Sequence, residues 1–172
     1  MISGNYVNFA ICEYYNDSIF TQLSQLIFTS LSVCGYQELT TYEKVHRITY
    51  QVILHFFSNH LELLFKKFES NLTEAILDLL IRGMTGTSFD VQSDCCTCID
   101  SFNIYVLDKL QSQNSMKHQE LIRSVQDFCQ NNNGEVFQRF LKESFYAVLF
   151  EENRNIWIYQ KVLHSSCVIV NQ

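Results

Sequence analysis

The sequence predicts an all-α fold, an α-α superhelix of HEAT- or ARM-like repeats with seven to eight helices. Apolar residues recur at three- and four-residue steps, proline is absent from all 172 residues, and a two-helix pattern repeats. Asn71 to Leu110 shows this best. Leu72, Ile76, Leu79 and Leu80 share one helix face, Asn71 with Glu74 has capping-box spacing, and Gly83 and Gly86 supply a stop. Thr87 or Ser88 then caps a longer helix that buries Val91, Cys95, Cys98, Phe102 and Tyr105. Upstream, Thr40 with Glu43 is a second capping box, opening a helix with Val45, Ile48, Val52 and Phe56 on one face. Thr40 to Thr87 is 47 residues, within the range of two-helix HEAT units.

The remaining elements follow from the same pattern. Asn132 or Asn133 caps a helix carrying Val136, Phe140, Phe145 and Leu149; Asn153 or Asn155 precedes a last helix with Ile158, Val162 and Leu163. The expected helices lie near 5–14, 18–32, 42–58, 71–84, 88–110, 117–129, 135–150 and 154–170. From residue 42 they follow the order A (42–58), B (71–84), A (88–110), B (135–150), A (154–170). The second A-to-B step is lengthened by the polar segment 111–132. A single all-α bundle fits the same periodicity.

Composition narrows the class. Hydrophobic residues make up 47% and charged residues 17%, the balance of a folded chain. A chain of this size buries roughly 70% of its unfolded surface as one domain. AT-rich codon bias produces the same shortage of Pro, Ala and Gly, so the helical stripes carry the fold prediction. No 18-residue apolar run occurs, and a secretory leader is not expected. Net charge is −6, and Lys66-Lys67 is the only adjacent basic pair, read as a solvated helix end. Without a basic stripe, nucleic acid is not an expected partner; nor is a membrane.

Candidate chemistry is sparse. Cys95-Cys96-x-Cys98 resembles half a zinc site, yet a closed site needs four ligands. His118 and Cys129 complete it only if segment 111–132 folds back; as nucleophile and base they have no local support. On a helix Cys95 and Cys98 fall on the apolar face, where cysteine behaves as a small hydrophobe. Glu43-x-x-His46 has di-iron ligand spacing but occurs once, whereas that chemistry uses two such motifs. His55, His60 and His164 are scattered. No phosphate loop or nucleophile elbow appears. The expectation is a protein that is not an enzyme, with no catalytic, cofactor-binding or metal residues and no cofactor.

Three stretches resemble the C-terminal part of exportins of the karyopherin-β family, nearest the exportin-7 branch and then exportin-4. They are Gly4-Asn5-Tyr6-Val7-Asn8-Phe9-Ala10 with Asn16-Asp17 after it; Gly83-Met84-Thr85 with Asp94-Cys95-Cys96-Thr97-Cys98-Ile99-Asp100; and Phe150-Glu151-Glu152-Asn153-Arg154-Asn155-x-Trp157. The resemblance rests on their order and spacing along nearly the whole chain. It implies a HEAT superhelix whose B helices line a concave face. It also implies RanGTP-dependent export of protein cargo, with contacts to Ran GTPase and nucleoporins, and shuttling between nucleus and cytoplasm. On this reading Glu74, Asp78, Gln138, Arg139 and Lys142 lie away from the apolar stripes; a merely solvated helix surface is the plainer account of all five. The family's N-terminal Ran-binding repeats have no counterpart here. Residues 1–172 are therefore expected to be the C-terminal HEAT-repeat region of a longer receptor. The terminal A helix is expected to leave Trp157, Val162 and Val168 half-packed. A freestanding helical scaffold unrelated to nuclear transport, and a metal-dependent helical enzyme using Cys95, Cys98 and His46, are the competing readings.

Overall fold

The computed structural model describes residues 18–34, 36–111, 119–131, 134–150 and 156–170. The expected helix at 5–14, the Gly4–Ala10 and Asn16-Asp17 motif, and His118 lie outside those residues. So do the caps at 132, 133, 153 and 155 and the stretch 151–155. The described residues form helices α1 (Ile19–Val33), α2 (Tyr36–Thr41), α3 (Glu43–Asn59), α4 (Leu61–Lys66) and α5 (Ser70–Met84), then α6 (Phe89–Gln111), α7 (Gln119–Asn131), α8 (Glu135–Phe150) and α9 (Ile156–Val170). None of these residues is in a strand.

The helices stack in two layers. In one, α6 packs between α3 and α9; in the other, α5 packs between α1 and α8. The hairpins α5–α6 and α8–α9 join the layers. This layering is that of a helical-repeat stack, not of a bundle around one axis. The links from α3 to α5 and from α6 to α8 each carry a helix, six-residue α4 and thirteen-residue α7, and these two pack on each other. Helix α7 thus stands where α4 stands in the first unit.

Aromatic residues run through the core. The Phe102 ring lies 5.8–6.5 Å from those of Phe57, Phe65, Phe128, Phe137 and Phe140. Through Phe57 and Phe56 the contacts continue to Phe28 of α1. Burying such a ring contributes about 1.5–3 kcal/mol, and α6 places this one where α3, α4, α7 and α8 meet.

The end of α5 is built differently from its sequence reading. Gly83 and Gly86 do not supply a left-handed stop; among the described glycines only Gly134 has positive φ, at 69°. Gly83 is a buried helical residue. A Cβ there would lie 2.5 Å from Cys95 Sγ and from the Tyr50 ring. Its missing side chain lets α3 and α6 close on α5. Three hydroxyls then donate to α5 carbonyls: Tyr50 to Leu79 at 2.9 Å, Tyr36 to Arg82 at 3.2 Å and Tyr159 to Met84 at 2.9 Å.

Other expectations need correction. Thr40 opens no helix, because it sits in α2 and its hydroxyl donates to Gln37 O. Asn71 is inside α5, whose N-cap is Glu69, and that cap makes no side-chain hydrogen bond. Val45 and Ile48 are 49% and 48% exposed; α3 instead buries His46, Thr49, Tyr50, Ile53, Phe56 and Phe57. Both stripes have helical period, and the one with the larger rings and the reaching Tyr50 hydroxyl takes the core. In α8 the five-residue step from Phe140 to Phe145 turns about 140° around the helix. The buried face continues through Ser144 and Ala147, while Phe145 and Leu149 face outward. Val162 is fully buried; Trp157 and Val168 are exposed.

Gly83→Ala is expected to lower stability by about 2 kcal/mol although alanine is the better helix former. That is roughly 4–8 °C in Tm, read by thermal melting. An aspartate at Phe102 or Leu79 buries an unpaired charge and should cost more than about 4 kcal/mol. Near-normal melting of either variant would refute these faces.

Candidate interaction surface between α5 and α8

A polar margin lies where α5 and α8 run side by side. α5 turns its apolar stripe into the stack and leaves Glu74 and Asp78, one turn apart, at the outer margin. α8 brings Glu135 and Arg139 to the same margin. Arg139 Nη1 donates to Asp78 Oδ1 at 2.6 Å, with both side chains 45% exposed. Leu77, Ile81 and Val136 complete the walls of a cleft of ≈ 150 Å³. Three carboxylates and one guanidinium line it. The exposed ion pair contributes at most about 1 kcal/mol to stability; it bridges α5 and α8, which touch each other lightly.

Of the residues read as lying off the stripes, Glu74, Asp78 and Arg139 therefore meet in one cleft. Gln138 and Lys142 are exposed on α8 and do not line it. Glu135 was not anticipated; its position in the first turn of α8, where a carboxylate complements the helix dipole, was the available signal.

Cys95, Cys96, Cys98 and His46 are core residues. Burial pushes the Cys95 and Cys98 thiols well above their usual range, and Cys96 up to about 12. Half-buried Cys129 is pushed up to about 11, again by burial. Thiols held neutral in apolar packing are poor nucleophiles and poor metal ligands. Among the described residues, no three His, Cys, Asp or Glu side chains gather as a metal-ligand set. Glu43 is exposed at the start of α3. His46 packs edge-on to Tyr36 and Tyr50, at ring distances of 5.9 and 5.1 Å, and its buried Nε2 has no hydrogen-bond partner.

No family model and no solved structure matches the chain. Among curated proteins it is similar to exportin-7-B and exportin-7-A of Xenopus laevis, at 23% identity over 158 residues. It is 24% identical over 161 residues to Ran-binding protein 17 of Mus musculus. Each match covers 91% of this chain but only 14–15% of the relative. The chain thus spans about one-seventh of the length of these relatives. The resemblance to exportins drawn from the three motifs agrees with this.

Desolvation lowers the His46 pKa below its usual 6.5. The folded state then binds fewer protons than the unfolded chain, so His46 favours folding above pH 6.5 and that contribution is lost as pH falls through the lowered value. Melting temperature should drop on acidification below pH 6.5. The drop should be smaller in His46→Phe; an equal drop would remove His46 as its source.

Proposed function

We propose that this chain is a non-catalytic segment of a nuclear export receptor, the C-terminal HEAT-repeat region of a longer exportin. Similarity to exportin-7 and Ran-binding protein 17 along 91% of the chain carries this reading. The two-layered stack supports it: successive hairpins pack on their neighbours, as in a helical-repeat array. In the whole receptor those partners are protein cargo, Ran in its GTP state and nucleoporins, and the receptor shuttles between nucleus and cytoplasm. The cleft bounded by Asp78 and Arg139 lies on the B-helix face that cargo would meet. The segment's own task is to present that face and to transmit curvature along the stack. The principal Ran contacts belong to repeats elsewhere in the receptor.

The test is immunoprecipitation of the native protein from its own cells, with antibody against the α5–α6 hairpin. Ran loaded with a non-hydrolysable GTP analogue should be recovered at least about tenfold above Ran-GDP, a difference of about 1.4 kcal/mol. Recovery that ignores the nucleotide, or no Ran at all, would overturn the export reading and leave a helical scaffold of another kind.

A further inference from the structure

Helix α1 buries one stripe and leaves a second uncovered by the other described helices. Phe20, Ser24 and Phe28 are buried, whereas Leu23 and Leu26 are 41% and 64% exposed. Shifted by 53 residues, the α1 pattern falls on α5. Buried Thr73, Leu77 and Ile81 answer to Phe20, Ser24 and Phe28. Ile76, Leu79 and Gly83 answer to Leu23, Leu26 and Ser30, and on α5 this second stripe is buried too. The helix that covers it is α3, whose Tyr50 lies against Gly83 and donates to the Leu79 carbonyl. α3 is the long helix that precedes α5 in the chain. By the same register, α1 offers a seat for a helix that precedes it.

A second wall stands beside this seat. The rings of Phe28 and Phe56 meet edge-on at 4.9 Å, so α1 and α3 are neighbours. Val45 and Ile48 of α3 are 49% and 48% exposed. Arg47 reaches Asp90 of α6, and Val45, two residues away, lies nearly opposite it around the helix. Val45 therefore faces away from α6.

Two observations point to residues 1–17 of the same chain as the occupant. The first is spacing. Val7, Ile11 and Tyr14 recur at four- and three-residue steps in the sequence. Ile11 stands six residues before Asp17 and Leu23 six after it, while Val7 and Leu26 stand ten and nine away. A helix folded back at Asn16-Asp17-Ser18, which are turn-forming residues, sets Ile11 beside Leu23 and Val7 beside Leu26. The second is the tether. The segment runs directly into Ser18, the N-cap of α1. So short a connection gives it an effective concentration on the order of millimolar at this face, well above that of a second copy at micromolar protein.

We propose that residues 5–14 pack as a helix in the groove between α1 and α3, with Val7 and Ile11 on Leu26 and Leu23. The proposal rests on the internal pattern of the stack, not on the export reading, and it holds whatever lies upstream.

The test is cross-linking with a short bismaleimide in the full 172-residue chain carrying Cys12→Ser, mapped by peptide mass spectrometry. Ile11→Cys should link to Leu23→Cys, and in a second variant to Ile48→Cys, at the mass of one chain, 20.2 kDa. It should not link to Leu149→Cys, at the other end of the stack. Positions 23, 48 and 149 are exposed, so these changes leave the core intact. Separately, Leu26→Glu should speed amide hydrogen exchange of residues 5–14 about tenfold or more while α6 stays protected. A link seen only at twice the mass gives the groove to a second copy and overturns the proposal. So does the absence of a link to Leu23 or to Ile48, an equal yield at Leu149, or exchange that Leu26→Glu leaves unmoved.

Discussion

The C-terminal end of α5 is the joint on which the two layers depend. The last carbonyls of any helix lack partners within it, and a buried helix end must find them elsewhere. Here hydroxyls of Tyr36 from α2 and Tyr159 from α9 donate to the terminal carbonyls of Arg82 and Met84, and Tyr50 from α3 donates one turn earlier, to Leu79. Gly83 makes the geometry possible, since any side chain would displace Tyr50 and Cys95. Glycine within a helix costs about 1 kcal/mol relative to alanine. The close approach it permits offsets that cost with buried contacts from two other helices. Because the tyrosines reach α5 from different neighbours, neither layer can slide along the other without breaking a buried hydrogen bond.

Around that joint the division of labour follows the stack. Phe102 and its surrounding rings hold α3, α4, α7 and α8 to α6. Asn103, wholly buried, donates to both Ser165 and Ser166 and sets the register of α6 on α9. The layer of α1, α5 and α8 is looser: α5 and α8 touch lightly and are spanned by the Asp78–Arg139 pair.

Much of this was legible from periodicity, and the failures have identifiable physical causes. The faces of α5 and α6 were read correctly because each helix has one unambiguous apolar stripe. In α3 two stripes of equal period competed. The choice fell to the reach of Tyr50, which only the position of α5 reveals. In α8, hydrophobicity favoured Phe145 and Leu149, whereas close packing against α9 selected Ser144 and Ala147. Gly83 looked like a stop because the sequence does not show what approaches it. The polar margin was partly legible: Glu74, Asp78 and Arg139 stand off the apolar stripes, but their convergence depends on the α5–α8 spacing.

The cysteines of α6 have one more consequence. Cys95, Cys96 and Cys98 are shielded by the same packing that seats Tyr50 over Gly83, and their thiols are held in the unreactive neutral form. Their chemical silence is thus a property of the closed hairpin and not of the residues. Any event that parts α5 from α6, whether heat, oxidant stress or a partner's pull, turns three silent sulfurs into alkylable, oxidisable ones. The hairpin carries its own chemical tell-tale of having opened.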